Sequence, residues 1–143
     1  TGMDVIHKAT VEMHLRDKKV INPHPTIEKM FDGKKLGQKS GEGYYKYSDD
    51  KYERVELSEE LAQKCNPIQL VANILNNAAW LITNGASDIE EIEKACKLGL
   101  GLRKPLFETA KEIGIKNIVE ELNKLAEDHG EFYKPDPLLE SMV

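Results

Sequence analysis

The segment NPIQLVANILNNAAWLITNG, residues 66–85, carries the clearest helix signal in the chain. Asn66 is a good N-cap residue, and Pro67 suits the first helical position, where a backbone N–H would have no partner in any case. Apolar residues then recur at helical spacing until Gly85, which favours a stop. The segment therefore predicts an amphipathic helix with one face in a core. The residues expected on that face are Ile68, Val71, Ile74, Leu75, Ala78, Leu81 and Ile82.

Helix patterns also precede and follow this segment. Ser87-Asp88-Ile89-Glu90 has capping-box spacing and predicts a helix that ends at Gly99 and Gly101. Its inward residues would be Ile89, Ile92, Ala95 and Cys96. Together these patterns predict an all-α fold. The other helices are expected at residues 3–17, at 25–32, in a short segment opened by Pro105, and at 115–129.

Residues 33–47, GKKLGQKSGEGYYKY, contain four glycines within eleven positions. Such a density of glycine does not form a regular element, so the stretch predicts a shaped loop that runs into an extended segment at Tyr44–Tyr47. Residues 48–57 are charged and polar and are interpreted as a linker. This predicts three regions: the second half of a first helical repeat (1–47), the linker (48–57) and a second helical repeat (58–143).

The two ends of the chain resemble each other at an offset of 112 positions. Both contain a helix pattern followed by a Pro-x-Pro turn, at residues 23–25 and 135–137. The offset predicts two related helical repeats, of which the first would have its opening helices upstream of Thr1. The identities are Gly2 with Gly114, Ile6 with Ile118, Pro23 with Pro135, Pro25 with Pro137, Glu28 with Glu140, and Met30 with Met142.

Composition excludes several classes of protein. The chain has 143 residues, 20 basic and 25 acidic side chains and a net charge of −5, which argues against a nucleic-acid partner held by a basic face. Cys65 and Cys96 lie far apart, which argues against a disulfide framework or a zinc knuckle. No apolar run has the length of a membrane span, and no signal peptide is evident. A cytoplasmic location without a membrane partner is expected.

The residues that could carry chemistry form no self-sufficient active site. Gly37-Gln38-Lys39-Ser40 lacks the spacing of a phosphate-binding P-loop, and no apolar strand precedes it. Gly99-Leu100-Gly101 follows a helix, so it does not form a dinucleotide-binding turn. We therefore predict no catalytic, cofactor-binding or metal-binding residue in this chain. Surface positions are expected for the histidines His7, His14, His24 and His129.

Three other groups of residues each allow two interpretations. An anionic ligand would be attracted by the loop lysines, yet Asp32 and Glu42 dilute that charge, and a solvated loop is favoured. The acidic residues Glu90, Glu91 and Glu93 fit helix capping better than acid–base catalysis. Polar and bulky residues on the long helix mark either a helix–helix interface or a half-exposed face. The loop lysines are Lys34, Lys35, Lys39 and Lys46, and the helix residues are Asn73, Asn76, Asn77 and Trp80.

The run from Pro25 to Tyr47 resembles the end of the helical domain of 3-hydroxyacyl-CoA dehydrogenases, which closes with a short helix and a G-K-K-[ST]-G-x-G-[FY]-Y-x-Y motif. Residues 85–114 follow the order and spacing of the same repeat again. In this second copy the family's glycine-proline turn is replaced by Pro105-Leu106, and its aspartate falls on Lys111. Its substrate-positioning asparagine-arginine pair falls on Ile68-Gln69, so the second copy looks structural.

The resemblance implies an all-α bundle of two related repeats of the 6-phosphogluconate dehydrogenase C-terminal-like type, with the glycine-rich loop between them. It implies the helical region of an NAD-dependent enzyme that converts 3-hydroxyacyl-CoA to 3-ketoacyl-CoA in fatty acid β-oxidation, in the manner of the larger multifunctional enzymes. The Rossmann domain that binds NAD would lie outside this chain, so the chain alone would be inactive.

The implied partners are the acyl-CoA substrate, the enzyme's own Rossmann domain, and a second subunit or repeat in a homodimer or pseudo-dimer. The alternative from another class is a non-catalytic helical protein-interaction module. The loop at 33–47 discriminates between the two, because an interaction repeat has no need of it.

Overall fold

A computed structural model describes residues 2–49, 51–56 and 58–143 of the chain. It is mostly helical, which confirms the all-α prediction. The helices are α1 (Met3–Arg16), α2 (Pro25–Asp32), α3 (Glu59–Gln63), α4 (Pro67–Thr83), α5 (Ile89–Ala95), α6 (Leu106–Ile113), α7 (Ile115–His129) and α8 (Pro137–Glu140). Shorter elements are 3-10 turns at Gln38–Ser40 and Glu131–Tyr133, a π-helical segment at Cys96–Leu100, and strands β1 (Tyr47–Ser48) and β2 (Lys51–Tyr52).

The chain divides into two compact units, Thr1–Ala62 and Gln63–Val143. In the first unit α1 packs on α2. The ring of His7 stacks on that of Phe31, with centroids 4.1 Å apart. The backbone N–H of Met3 donates to the carbonyl of Leu36 at 3.1 Å and joins the start of α1 to the glycine loop. The first unit is therefore a helical hairpin with a loop folded against it.

A small hairpin lies where a linker was expected. Strands β1 and β2 pair antiparallel, with Tyr47 opposite Tyr52. The expected extended segment, Tyr44–Tyr47, thus overlaps the observed strand at one residue. Asp49 follows β1 with a φ of 50°, in the left-handed region that tight hairpin turns use and that aspartate tolerates. A local turn signal explains why the chain folds back here.

The second unit is built around α4, which contacts α6, α7 and α8. The predicted start of α4 is confirmed, because the side-chain oxygen of Asn66 accepts from the backbone N–H of Ile68 at 3.0 Å. All seven residues predicted on the inward face lie in the core of this unit or pack against it, and the buried face also includes Ala72 and Ala79, whose small side chains let the neighbouring helices approach closely. The core of this unit contains Ala72, Leu75, Ala78, Ala79, Ile92, Cys96, Leu106, Ala110, Ile118, Leu122 and Leu139.

Helix α5 begins one residue later than the capping box predicted. Asp88 is the N-cap, and its carboxylate accepts from the backbone N–H of Glu91 at 2.9 Å. Ile92 and Cys96 are buried as expected, whereas Ile89, in the first turn of the helix, is 53% exposed, and Ala95 is exposed as well. The expectation that Ile89 and Ala95 face the core was therefore wrong.

Candidate functional site

The bend between α5 and α6 is held by a carboxylate that links the two helices. Glu93, on α5, accepts from the backbone N–H groups of Leu106 and Phe107 at 2.7 and 2.9 Å. One carboxylate therefore caps two of the unpaired donors at the start of α6, where negative charge is also favourable. Sequence reasoning assigned Glu93 to the capping of its own helix. The structure shows that it caps the next one.

A pocket of about 360 Å³ opens beside this carboxylate. Gly101 ends the π-helical segment in the left-handed conformation, with φ 67°, and turns the chain away from α5. The loop that follows then faces the end of α5 across the pocket. Hydrophobic surface comes from Leu102 and Pro105, and the charged lining residues are Glu93, Lys94, Lys97, Arg103 and Lys104.

One of these cations is already paired. The ammonium group of Lys104 contacts the carboxylate of Glu112 and lies 3.7 Å from that of Glu108. The hydrogen bond that Lys104 donates to Glu112 is the main reason why the pKa of Lys104 lies above its ordinary value of 10.5, and the negative charges of Glu112 and Glu108 add to this effect. No ion pair among the described residues involves Lys94, Lys97 or Arg103. The pocket therefore keeps a net positive charge in an acidic chain.

The lysines of the glycine loop are partly neutralised. Lys35 pairs with Glu42 at 2.7 Å, and Lys39 pairs with Asp4 on α1. The hydroxyl of Ser40 accepts from the backbone N–H of Leu36 and lies within hydrogen-bond distance of two carbonyl oxygens, which ties the loop together. These contacts fit the predicted solvated, structural loop better than an anion site.

Asp136 forms the main buried polar network of the second unit. It is 7% exposed, and its carboxylate accepts from the hydroxyl of Thr83 at 2.6 Å and from the backbone N–H of Leu138 at 3.0 Å. Asn76 accepts from the backbone N–H of Asp136 and donates to the carbonyl of Lys134. The network joins α4 to the Pro-x-Pro turn before α8, so its role is structural.

Three of the histidines make local contacts that hold the fold of the first unit. His24 caps α2, because its Nδ1 accepts from the backbone N–H of Thr26 at 3.2 Å. Nδ1 of His14 contacts the carbonyl of Val20. Nδ1 of His7 is buried against Phe31 and has no hydrogen-bond partner. Within residues 2–49, 51–56 and 58–143, no group of three histidine, cysteine, aspartate or glutamate side chains could hold a metal ion.

The described residues do not fit a bound dinucleotide. The turn that binds a dinucleotide needs a strand that leads into a glycine-rich loop and then a helix. Here Gly99 lies inside a π-helical segment that continues α5, and Gly101 closes it. Nothing in this part of the chain places a pyrophosphate at the carboxyl end of a strand.

The outer side of α4 carries two large apolar side chains in water. Leu70 is 70% exposed and Trp80 is 56% exposed. The amides of Asn73 and Asn77 each donate to the carbonyl four residues earlier, so both side chains have partners within the helix. In the isolated unit this side is a half-exposed face. No helix in the part of the chain that the structure describes has the length and apolar character to cross a membrane.

Comparison with known families identifies the family of the chain. The model of the 3-hydroxyacyl-CoA dehydrogenase C-terminal domain matches residues 69–143, just over half of the sequence. The chain therefore belongs to this family, one of NAD-dependent oxidoreductases. The match covers the bundle of α4 to α8, and it confirms the family to which the sequence motifs pointed. No curated protein in the comparison matches the chain.

Proposed function

We propose that this chain is the helical region of an NAD-dependent 3-hydroxyacyl-CoA dehydrogenase, where it forms one wall of the acyl-CoA cleft and mediates contacts between repeats or subunits. The observation that carries the proposal is the family match over residues 69–143. Hydride transfer to NAD would take place on a Rossmann domain outside these 143 residues. This chain would brace that domain and contribute no catalytic residue.

We further propose that the chain contains two related helical repeats. Helices α1 and α7 begin 112 residues apart, at Met3 and Ile115. Helices α2 and α8 begin at the same offset, at Pro25 and Pro137. In each of the two proposed repeats, a long helix (α1 or α7) is followed by a short helix that proline opens (α2 or α8). This agreement supports duplication of one helical unit, as expected for a multifunctional fatty-oxidation enzyme.

The proposal is tested by separating binding from turnover. The purified chain should not oxidise NADH in the presence of acetoacetyl-CoA, because the described residues form no strand, glycine turn and helix that would hold a dinucleotide. Joined to the Rossmann domain of a family member, it should restore NADH oxidation with acetoacetyl-CoA, and the fusion should bind acetoacetyl-CoA more tightly than free CoA. Turnover by the pure chain, or an inert fusion whose two parts are folded, would contradict the proposal.

The alternative is a non-catalytic helical interaction module, favoured by the exposed Leu70 and Trp80 on α4. Under that alternative the fusion is inactive, and the double substitution of these residues by serine should abolish binding to the protein partner. Under the dehydrogenase proposal the fusion is active. The activity of the unsubstituted fusion therefore decides between the two.

A further inference from the structure

The pocket between α5 and α6 has the volume of a small-molecule site. Its volume of about 360 Å³ lies within the range of roughly 300–1,000 Å³ that is common for ligand pockets. One wall is the end of α5 with the π-helical segment, and the other is the loop up to Pro105. The pocket thus lies between two segments whose relative position the Glu93 cap maintains.

Cationic groups dominate its lining. Lys94 and Lys97 are three residues apart, so they project from the same side of the helical turn. Arg103 lies on the loop across the pocket. These three side chains have no carboxylate partner among the described residues. Solvent screens the repulsion among these exposed cations, and an anion in the pocket would be attracted by all three.

The nearby carboxylates are committed to other groups. Glu93 accepts from two backbone N–H groups of α6. Glu108 and Glu112 face Lys104, and each is more than half exposed. The field inside the pocket is therefore positive, although the chain as a whole carries a net charge of −5.

We propose that this pocket binds the phosphate groups of a small-molecule ligand. A guanidinium opposite ammonium groups suits the oxygens of a phosphate, which arginine can bind with two parallel hydrogen bonds. The apolar contribution of Leu102 and Pro105 gives room for a non-polar portion of the same ligand. The phosphate could come from the nucleotide end of CoA, an assignment that rests on the proposed function, or from a free diphosphate or nucleotide.

Binding to the full chain is measured by isothermal titration calorimetry at low salt, with three probes. Inorganic pyrophosphate tests the site itself. The comparison of 3′,5′-ADP, which is the nucleotide end of CoA, with 5′-ADP tests the source of the phosphate. We expect all three to bind, with an affinity that falls as salt rises because the contact is made by exposed charges. A preference for 3′,5′-ADP assigns CoA, and equal binding assigns a free diphosphate or nucleotide.

Matched variants locate the site. Arg103→Gln should weaken binding about tenfold, and Lys97→Gln about threefold, because each removes one charge from the pocket. Lys124→Gln, which removes the same charge from α7 outside the pocket, should bind as the unchanged chain does. These side chains are exposed, so circular dichroism should show that all variants are folded.

The proposal is overturned if no probe binds, or if Arg103→Gln and Lys124→Gln weaken binding equally, since binding would then reflect general charge. Neither result bears on the proposed function, which is judged by the turnover of the Rossmann fusion. An active fusion whose helical part binds no phosphate would end this inference alone.

Discussion

Helices α1 and α7 begin at the same point of two similar sequence patterns, and they differ in how they are buried. Ile118 on α7 is completely buried, whereas Ile6 at the related position of α1 is only half-buried. Leu125 is 9% exposed and its counterpart Met13 is 53% exposed. Helix α7 packs on α4, α6 and α8, while α1 packs on α2. An amphipathic pattern thus specifies a face, and the number of neighbouring helices decides whether that face becomes a core.

The two Pro-x-Pro turns repeat the same contrast. His24 and Asp136 occupy the middle position, and each caps the short helix that follows. The Asp136 carboxylate is buried and has a second partner in Thr83, whereas His24 is exposed. The same local turn is therefore held by a tertiary network in one unit and by the cap alone in the other.

The largest expected difference follows from replacing the same residue at the related positions of α1 and α7. Ile118→Ala should lower the free energy of unfolding of the second unit by about 2–5 kcal/mol, because it leaves a cavity in a packed core. Ile6→Ala should cost its own unit less than about 1.5 kcal/mol, since water already reaches that side chain.

Urea unfolding measures this pair of variants. Trp80 is the single tryptophan and lies on α4, so its fluorescence reports the second unit, and circular dichroism reports both. Equal losses for the two variants would mean that α1 is as well packed as α7 and would remove the contrast between them.

A smaller difference is expected between the two turns. Asp136→Ala should destabilise the second unit by about 1–3 kcal/mol, because it removes a helix cap and leaves the Thr83 hydroxyl without its acceptor. His24→Ala should cost about 0.5–1 kcal/mol, which is the loss of a cap alone. Asp136→Asn keeps an acceptor in place and serves as the control. Urea unfolding of all three variants checks this, and a greater cost for His24→Ala would contradict it.

The boundaries that sequence could predict are those with a local chemical cause. Asn66-Pro67 and Pro25 start helices where they were expected, because caps and fixed φ angles act within a few residues. Pro137 starts α8 in the same way, although no helix was predicted there. Helix α3, Glu59–Gln63, has five residues and no apolar periodicity, so nothing in the sequence predicted it. The β1–β2 hairpin was also not predicted, because its strands have two residues each and are too short for an alternating pattern to appear, although Asp49 supplies a local turn signal.

The candidate site was not predicted, because it depends on tertiary structure. Glu93 caps a helix that begins 13 residues later, and only the bend after Gly101 brings the two together. A signal was nevertheless present. Four basic residues fall between Lys94 and Lys104 and contribute to the pocket, in a chain with an acidic balance. Their spacing did not show that they would face one pocket.

The reactivity of the two cysteines tests whether the core of the second unit is protected from solvent. Burial, followed by the charge of Glu93, raises the pKa of the Cys96 thiol above its ordinary value of 9.0. Cys65 is exposed. Iodoacetamide should therefore modify Cys65 at least about tenfold faster than Cys96 in the folded chain, because the thiolate is the reacting form. Mass spectrometry of the digested protein measures both rates, and Ile118→Ala should increase the rate at Cys96. Similar rates at both thiols would show that the core opens readily.

The smallest expected effect is a difference in the pH response of the two units. The contact with Lys39 lowers the pKa of Asp4 below its ordinary 3.8, and the contact with Lys35 lowers that of Glu42 below 4.5. Carboxylates whose pKa is lower in the folded state stabilise it above their ordinary pKa, and this contribution is lost as the pH falls through the lowered values. The glycine loop should therefore loosen below about pH 4, by a small amount because both pairs are exposed.

Lys104 in the second unit behaves in the opposite sense. Its pKa is raised by Glu112 and Glu108, so its contribution to the stability of the folded state is present below pH 10.5 and is lost as the pH rises through the higher folded value.

Amide hydrogen exchange of residues 36–42 at pH 3 to 6, corrected for intrinsic rates, tests whether the glycine loop loosens in acid. The double variant Asp4→Asn, Glu42→Gln should exchange faster than the unchanged chain at pH 6 and show no further loosening in acid. If the variant retained the acid response, the two ion pairs would not be what holds the loop in place, and the Ser40 hydroxyl within the loop and the Met3–Leu36 backbone bond to α1 would be left as its supports.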